Sequence, residues 1–233
     1  MKIVSFGDSF VFGSELKNNP DGSMAWPSLV AKKISVDYQT YGNPGCGNDA
    51  IAQQIYTHFA DNTAEDDLAI INWTWTSRWD MYIGDCNTWI TVGPTCVPKK
   101  LQRLLDQTQS HQLIELYNNY LNKSLLWNKI RNLQTIFSAQ QYLKIKKINS
   151  IQTFMDYELF TTEFHAPPYV KELQKLVVLE MRDWGDGLNF LDWSKNNNFF
   201  ITETGWHPLE DAHIAAADFW LPLYRDNLCN NKT

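Results

Sequence analysis

Residues 2–16 read KIVSFGDSFVFGSEL: an apolar run breaks at Gly7, Asp8 and Ser9, and a second apolar run begins at once. A short continuous apolar segment bounded by turn residues is the pattern of a buried strand. Lys2–Phe6 is therefore expected to be a strand, with Gly7, Asp8 and Ser9 as the turn that leaves it. If that strand belongs to a parallel sheet, Ser9 lies at its C-terminal end, where open α/β folds bind their ligands. Its hydroxyl is then exposed, and its N–H, at the start of a helix or turn, is free to face an anion.

The stretches that follow repeat the alternation of strand and helix. AWPSLVAKKI (25–34) carries Leu29, Val30 and Ile34 on one side of a helix, and VDYQTYG (36–42) reads as a second strand that stops at the turn GNPGCGN (42–48). DAIAQQIYTHFA (49–60) then places Ile51, Ile55 and Phe59 four apart along one helical stripe. DLAIINW (67–73) is a continuous apolar run of the kind found in parallel strands covered on both faces. Strand, helix, strand, helix, strand predicts right-handed crossovers and a doubly wound parallel sheet.

Between Trp75 and Pro98 the periodicity is lost, which predicts an irregular excursion near the sheet's C-terminal edge. From Lys99 to Ala166 neither Gly nor Pro occurs, and Leu113, Leu116, Tyr120, Trp127, Ile130, Leu133 and Phe137 keep helical spacing. One or two long helices are expected over Leu101–Leu143. A fourth strand is expected in KIKKINSIQTF (144–154), a helix in APPYVKELQKLVVLEM (166–181), a last strand in LNFLDW (188–193) and a final helix in HPLEDAHIAAADFW (207–220).

The chain has 233 residues, 44% hydrophobic and 14% aromatic, ample for a packed core. Its net charge of −6 gives no basic footprint for nucleic acid, and the cationic cluster LKIKKI (143–148) is too short to supply one. The N-terminus has a single Lys and a strand broken by Gly-Asp, so it lacks the apolar stretch of a signal peptide, and no segment approaches a membrane span. The expectation is a cytoplasmic protein with no membrane partner. Cys46, Cys86, Cys96 and Cys229 contain no CxxC pair, so no zinc site is expected. Cys86 and Cys96 are spaced to close a hairpin loop, but reduced buried thiols are the expectation in that compartment. No metal or cofactor is expected.

A Gly-Asp-Ser tripeptide alone arises by chance in roughly one chain in twenty of this length, so a second element has to carry weight. It lies in TGWHPLEDAH (204–213), where Pro208 at a helix start holds the His207 imidazole at a fixed angle. Ser9 and His207 form a candidate nucleophile and base. His213, six residues on, points to another side of the helix and reads as structural. Trp73, Trp75 and Trp79 follow the third strand with Arg78. They read either as packing or as a stacking wall, with Arg78 pairing an anionic substrate group.

In the order of its blocks the chain resembles the SGNH (GDSL-type) hydrolase family: FGDSFVFG (6–13), GNPGCGND (42–49), INWTWTSR (71–78) and GWHP (205–208). The resemblance spans nearly the whole chain. It implies a three-layer α/β/α, flavodoxin-like fold with a parallel sheet of about five strands, in one domain over 1–233 with a mainly helical insertion near 99–143. It also implies that Ser9 is the nucleophile, His207 the general base, and Gly45 a main-chain oxyanion donor beside the Ser9 N–H.

Two positions depart from the family pattern. Where the third block usually reads Gly-x-Asn-Asp, Thr74 falls at the Gly and Thr76 at the Asn. Thr76 is then the expected third oxyanion donor, its hydroxyl replacing an amide of longer reach, with Asn48 close enough in the second block to assist. Where the last block usually reads DxxH, Thr204 stands at the Asp. Glu203 one residue away, Asp192 ahead of the Asn-rich loop, or a main-chain carbonyl is left to orient His207. Asn48, Trp75, Arg78 and Trp206 are the candidate substrate contacts. The implied function is a serine esterase that cleaves small acyl esters, with an O-acetyl group on a carbohydrate as the substrate suggested by family analogy. The alternatives are a catalytically weak or inactive module that binds carbohydrate or protein on the same fold, and an O-acyltransferase.

Overall fold

The structure, a computed structural model, describes residues 2–60, 67–83, 88–93, 107–161, 166–203 and 206–230. Its strands are β1 (Lys2–Gly7), β2 (Asp37–Gly42), β3 (Leu68–Trp73), β4 (Trp79–Ile83), β5 (Thr88–Val92) and β6 (Asn149–Phe154). Its helices are α1 (Ser9–Phe12), α2 (Trp26–Ile34), α3 (Asn48–Ala60), α4 (Gln107–Leu116), α5 (Leu125–Ile145), α6 (Pro168–Val178), α7 (Phe190–Asn196) and α8 (Glu210–Asn230). Four strands pair in parallel in the order β2-β1-β3-β6. β1 and β3 are central, so both read as nearly unbroken apolar runs.

Side chains alternate across those strands and build one core on each face. Val4 and Phe6 with Ala69, Ile71 and Trp73 meet Ile51, Ile55 and Phe59 of α3 and Leu133, Ile136 and Ala139 of α5. Ile3 with Leu68 and Ile70 meets Trp26 and Val30 of α2, Phe190 of α7 and Ala212, Ala216 and Trp220 of α8. The result is the three-layer α/β/α arrangement. Burying each such large apolar side chain stabilises it by about 1.5–3 kcal/mol.

Two local expectations differ from the structure. LNFLDW is not a strand: Asn189 caps α7 by accepting the Asp192 N–H, and Phe190, Leu191, Trp193 and Ser194 are buried at helical spacing. Among the described residues the sheet therefore has four strands, with a single parallel bridge, Gln152 to Met181, beyond β6. The excursion after Trp75 is ordered where it is described, since β4 and β5 form an antiparallel hairpin. The stretch after it holds two helices, as one or two were expected, with a π-helical turn, Tyr117–Leu121, between α4 and α5. Residues 101–106, Cys86, Cys96 and Thr204 lie outside the described residues. Cys46 is a buried free thiol whose pKa is pushed well up by burial. Among the described residues, no helix is long and apolar enough to cross a membrane.

Candidate active site

The turn out of β1 depends on bare backbone. A β-carbon on Gly7 would sit 2.6 Å from Val11 Cγ2 and 3.0 Å from the Asn72 carbonyl oxygen, so only glycine lets α1 start that close to β3. Asp8 then caps α1, its Oδ1 accepting the Phe10 N–H at 3.1 Å. Its Oδ2 accepts from the Thr74 hydroxyl at 2.8 Å and from Arg78 Nη1 at 2.9 Å. The same Nη1 reaches the Cys46 carbonyl at 2.9 Å and Thr74 Oγ1 at 2.7 Å, and the guanidinium lies over the Trp75 ring at 4.6 Å. Arg78 Nη1 is thus turned inward to the turn rather than outward to a substrate.

Ser9 follows this fixed residue and is 5% exposed. Its Oγ and its N–H have no hydrogen-bond partner among the described residues. Gly45, half-buried with φ +84 and open space where a β-carbon would be, likewise has an N–H without an acceptor among them. Both donors are available to an incoming oxygen.

Beyond β3 the polar groups are paired with each other. Asn48 is fully buried, exchanging bonds with the Thr74 main chain and donating to Asn132 Oδ1 at 2.7 Å. Asn132, on α5, donates in turn to the Thr76 carbonyl at 2.9 Å. Thr76 gives both its N–H (2.7 Å) and its hydroxyl (2.8 Å) to Asp156 Oδ2, at the end of β6. Its single hydroxyl proton is therefore committed, which corrects the expectation of an open oxyanion donor there. Asn48 is internal for the same reason. Asp80 on β4 accepts the N–H groups of Gly47 (2.8 Å) and Ala50 (2.9 Å) and joins the hairpin to the start of α3; burial raises its pKa despite those donors.

His207 approaches through Phe10, the residue next to Ser9. Its ring packs against Phe10 with centroids 5.2 Å apart, and Phe10 also meets Trp75 at 5.6 Å. The first, third and last blocks of the sequence thus converge around the residue next to Ser9. The loop is held by His207 N–H to Thr202 Oγ1 (3.3 Å) and Thr202 N–H to the His207 carbonyl (2.9 Å). Nε2 has no partner among the described residues. Nδ1 is buried without a hydrogen bond, although Glu15 Oε2 stands 3.5 Å away, too far to close one. Glu203 is exposed in the turn before His207, and Trp206 is 55% exposed beside it.

Three residues beside these groups were not legible in the motifs: Glu15, Asn132 and Asp156. The strongest available signal was for Glu15, an acidic residue six positions after the candidate nucleophile in FGDSFVFGSEL. Asn132 and Asp156 sit in otherwise ordinary helical and strand-end contexts.

No protein-family model matches the chain, and no curated protein matches it in sequence. Solved structures match it in fold over nearly its whole length. The psychrotrophic esterase EstA from Pseudoalteromonas sp. aligns with a TM-score of 0.53 at 9% identity, covering 97% of this chain and 98% of that one. A member of the lipolytic protein G-D-S-L family from Veillonella parvula DSM 2008 aligns at 0.51 with 13% identity, covering 97% and 98%. A carbohydrate esterase family 2 enzyme with a carbohydrate-binding domain, from Corynascus thermopiles (Myceliophthora fergusii), aligns at 0.50 with 13% identity, covering 97% of this chain and 66% of that one. The fold of this chain is the one these GDSL-type and esterase structures share.

Proposed function

We propose that this chain, which has the fold of the SGNH hydrolases, is a serine esterase. One observation carries the reading: the Ser9 hydroxyl and N–H, the Gly45 N–H and His207 Nε2 have no partner among the described residues, while neighbouring Asp8, Asn48, Thr74, Thr76 and Asn132 are all paired. The groups left open are those that acyl transfer requires. Ser9 Oγ attacks the ester carbonyl as His207 Nε2 takes its proton, and the oxyanion is met by the N–H groups of Ser9 and Gly45. The alcohol leaves with the proton from His207, and water, deprotonated by the same nitrogen, releases the acid from the acyl-enzyme.

The finer substrate class is an acyl ester on a carbohydrate, such as an O-acetyl group. Half-buried Trp75 and exposed Trp206 beside the site favour it, because flat aromatic faces suit a sugar ring. Similarity in fold to a carbohydrate esterase agrees with it. The unpaired Nδ1 of His207 favours a second reading, a site that binds such a ligand without turning it over.

Labelling with a serine-directed fluorophosphonate separates the two. Labelling of the wild type that is lost in both Ser9→Ala and His207→Ala supports the esterase and warrants a screen of acetylated sugars and short-chain esters. A folded protein that takes no label supports the binding module instead.

A further inference from the structure

We infer that Glu15 is the positioning residue for His207, a role that rests on the esterase reading. To accept a proton at Nε2, the neutral imidazole must carry its own proton on Nδ1, and that N–H needs an acceptor. In this chain Nδ1 is buried and has none at hydrogen-bond distance. The carboxylate beside it is Glu15, with Oε2 at 3.5 Å.

The other candidates are occupied or turned away. Asp192 Oδ2 accepts the Tyr157 hydroxyl at 2.8 Å. Glu203 lies exposed and forms no ion pair or hydrogen bond with His207. No main-chain carbonyl among the described residues accepts from Nδ1.

The loop that carries Glu15 is fastened on both sides of it. Asn19 Nδ2 donates to the carbonyls of Phe12 (2.7 Å) and Gly13 (2.9 Å), and the Lys17 N–H donates to Glu210 Oε1 at 2.9 Å. Glu210 opens α8, three residues past His207, so the second fastening joins Glu15's loop to the element that carries the base. Glu15 itself takes a left-handed backbone (φ 70) two residues after Gly13 (φ 72). Its side chain is 46% exposed, which leaves it free to move the few tenths of an ångström that separate a contact from a hydrogen bond. Catalytic hydrogen bonds are often long before substrate binds. On α8, His213 interacts electrostatically with both His207 and Glu210, and neither is open to His207: His213 Nδ1 accepts the Trp26 N–H and Glu210 Oε1 the Lys17 N–H.

During the attack the Ser9 proton passes to Nε2, and the Nδ1 proton stays where it is, donated to Glu15. The carboxylate accepts no proton and holds the ring that does.

The test is the rate of fluorophosphonate labelling at Ser9 in the wild type, Glu15→Gln, Glu15→Asp and Glu203→Gln, with the His207 tautomer read from ring nitrogen NMR. Glu15→Gln should lower the maximal labelling rate by about 10²-fold or more, with little change in the probe concentration giving half-maximal rate. Glu15→Asp should recover part of the rate. The Nδ1-protonated signal of the wild type should be lost in Glu15→Gln. Equal rates in wild type and Glu15→Gln, or a larger loss in Glu203→Gln, would overturn the inference while leaving the nucleophile in place. A fall in thermal midpoint that tracked the loss would mark Glu15 as merely structural and also overturn it. A wild type that takes no label would remove the esterase reading and this role with it.

Discussion

The half of the site around Ser9, the proposed nucleophile, and the half around His207, the proposed base, are built differently. Around Ser9, a fully buried Asp8 is held by Phe10, Thr74 and Arg78, and Arg78 is held in turn by Cys46 and stacked on Trp75. Around His207, the loop has two bonds to Thr202, an aromatic contact with Phe10 and a carboxylate at 3.5 Å. The first half is over-determined, so the main chain that carries Ser9 is held in place before any ligand arrives. The second can adjust, which under the proposed mechanism suits a ring that hands a proton in two directions during one turnover.

The largest effect expected from breaking this asymmetry is at Arg78. Replacing it with Met keeps an unbranched side chain but removes the guanidinium and leaves the Asp8 carboxylate buried without its cation. Removing one partner of a buried pair costs about 3–5 kcal/mol, and Asp8 is 0% exposed while Arg78 is 14% exposed in the side chain. Urea unfolding of Arg78→Met should show a loss of that size. A change below about 1 kcal/mol, the scale of an exposed pair, would mean that the nucleophile's half is no more tightly determined than the base's.

The base's half should instead be loosened by acid. His213, fully buried on α8, accepts the Trp26 N–H at 3.0 Å and so caps α2, which has no side-chain cap of its own. Burial lowers its pKa from 6.5 to about 3. The unfolded chain therefore binds a proton that the folded chain refuses. The contribution is fully present above pH 6.5 and is lost as pH falls from there toward 3. The slope is about 1.4 kcal/mol per pH unit, so roughly 2–3 kcal/mol should go between pH 6.5 and 4.5. In His213→Gln, which keeps an acceptor for Trp26 but does not titrate, the stability-versus-pH curve from urea unfolding should be flatter by that amount. Parallel curves would show that His213 is not where acid enters.

The same contrast describes what could be read in the sequence. β1, β3 and the helix between residues 48 and 60 were legible because a central parallel strand is apolar on both faces and α3 keeps one apolar stripe. LNFLDW misled because a short apolar run has the same composition in a strand and in a buried helix, and only the Asn189 cap distinguishes them. In the site, Ser9, Gly45 and His207 each sit in a local turn whose residue types announce it. The groups that position or occupy them come from far along the chain: Asp156 is 80 residues from Thr76, and Asn132 is 84 residues from Asn48. No local pattern encodes those pairings, because they exist only once the crossovers have placed β6 and α5 beside the third block.

Thr76 gives the smallest expected effect and the sharpest reading of where the paired half of the site ends. Counting along the third strand puts its hydroxyl at an oxyanion position, whereas its bond to Asp156 makes it part of the scaffold. Valine has nearly the same shape, lacks the hydroxyl, and leaves the main-chain bond from residue 76 to Asp156 untouched. If the hydroxyl is scaffold, Thr76→Val should lose about 1 kcal/mol of stability and keep its maximal fluorophosphonate labelling rate within about threefold, since no transition-state contact is removed. If it is a donor to the oxyanion, the rate should fall by about 10²–10³-fold with stability nearly unchanged. The hydroxyl cannot give its one proton to both acceptors, so a large rate loss would require Thr76 to leave Asp156 when substrate binds. That result would make the end of β3 a moving part and erase the difference between the two halves.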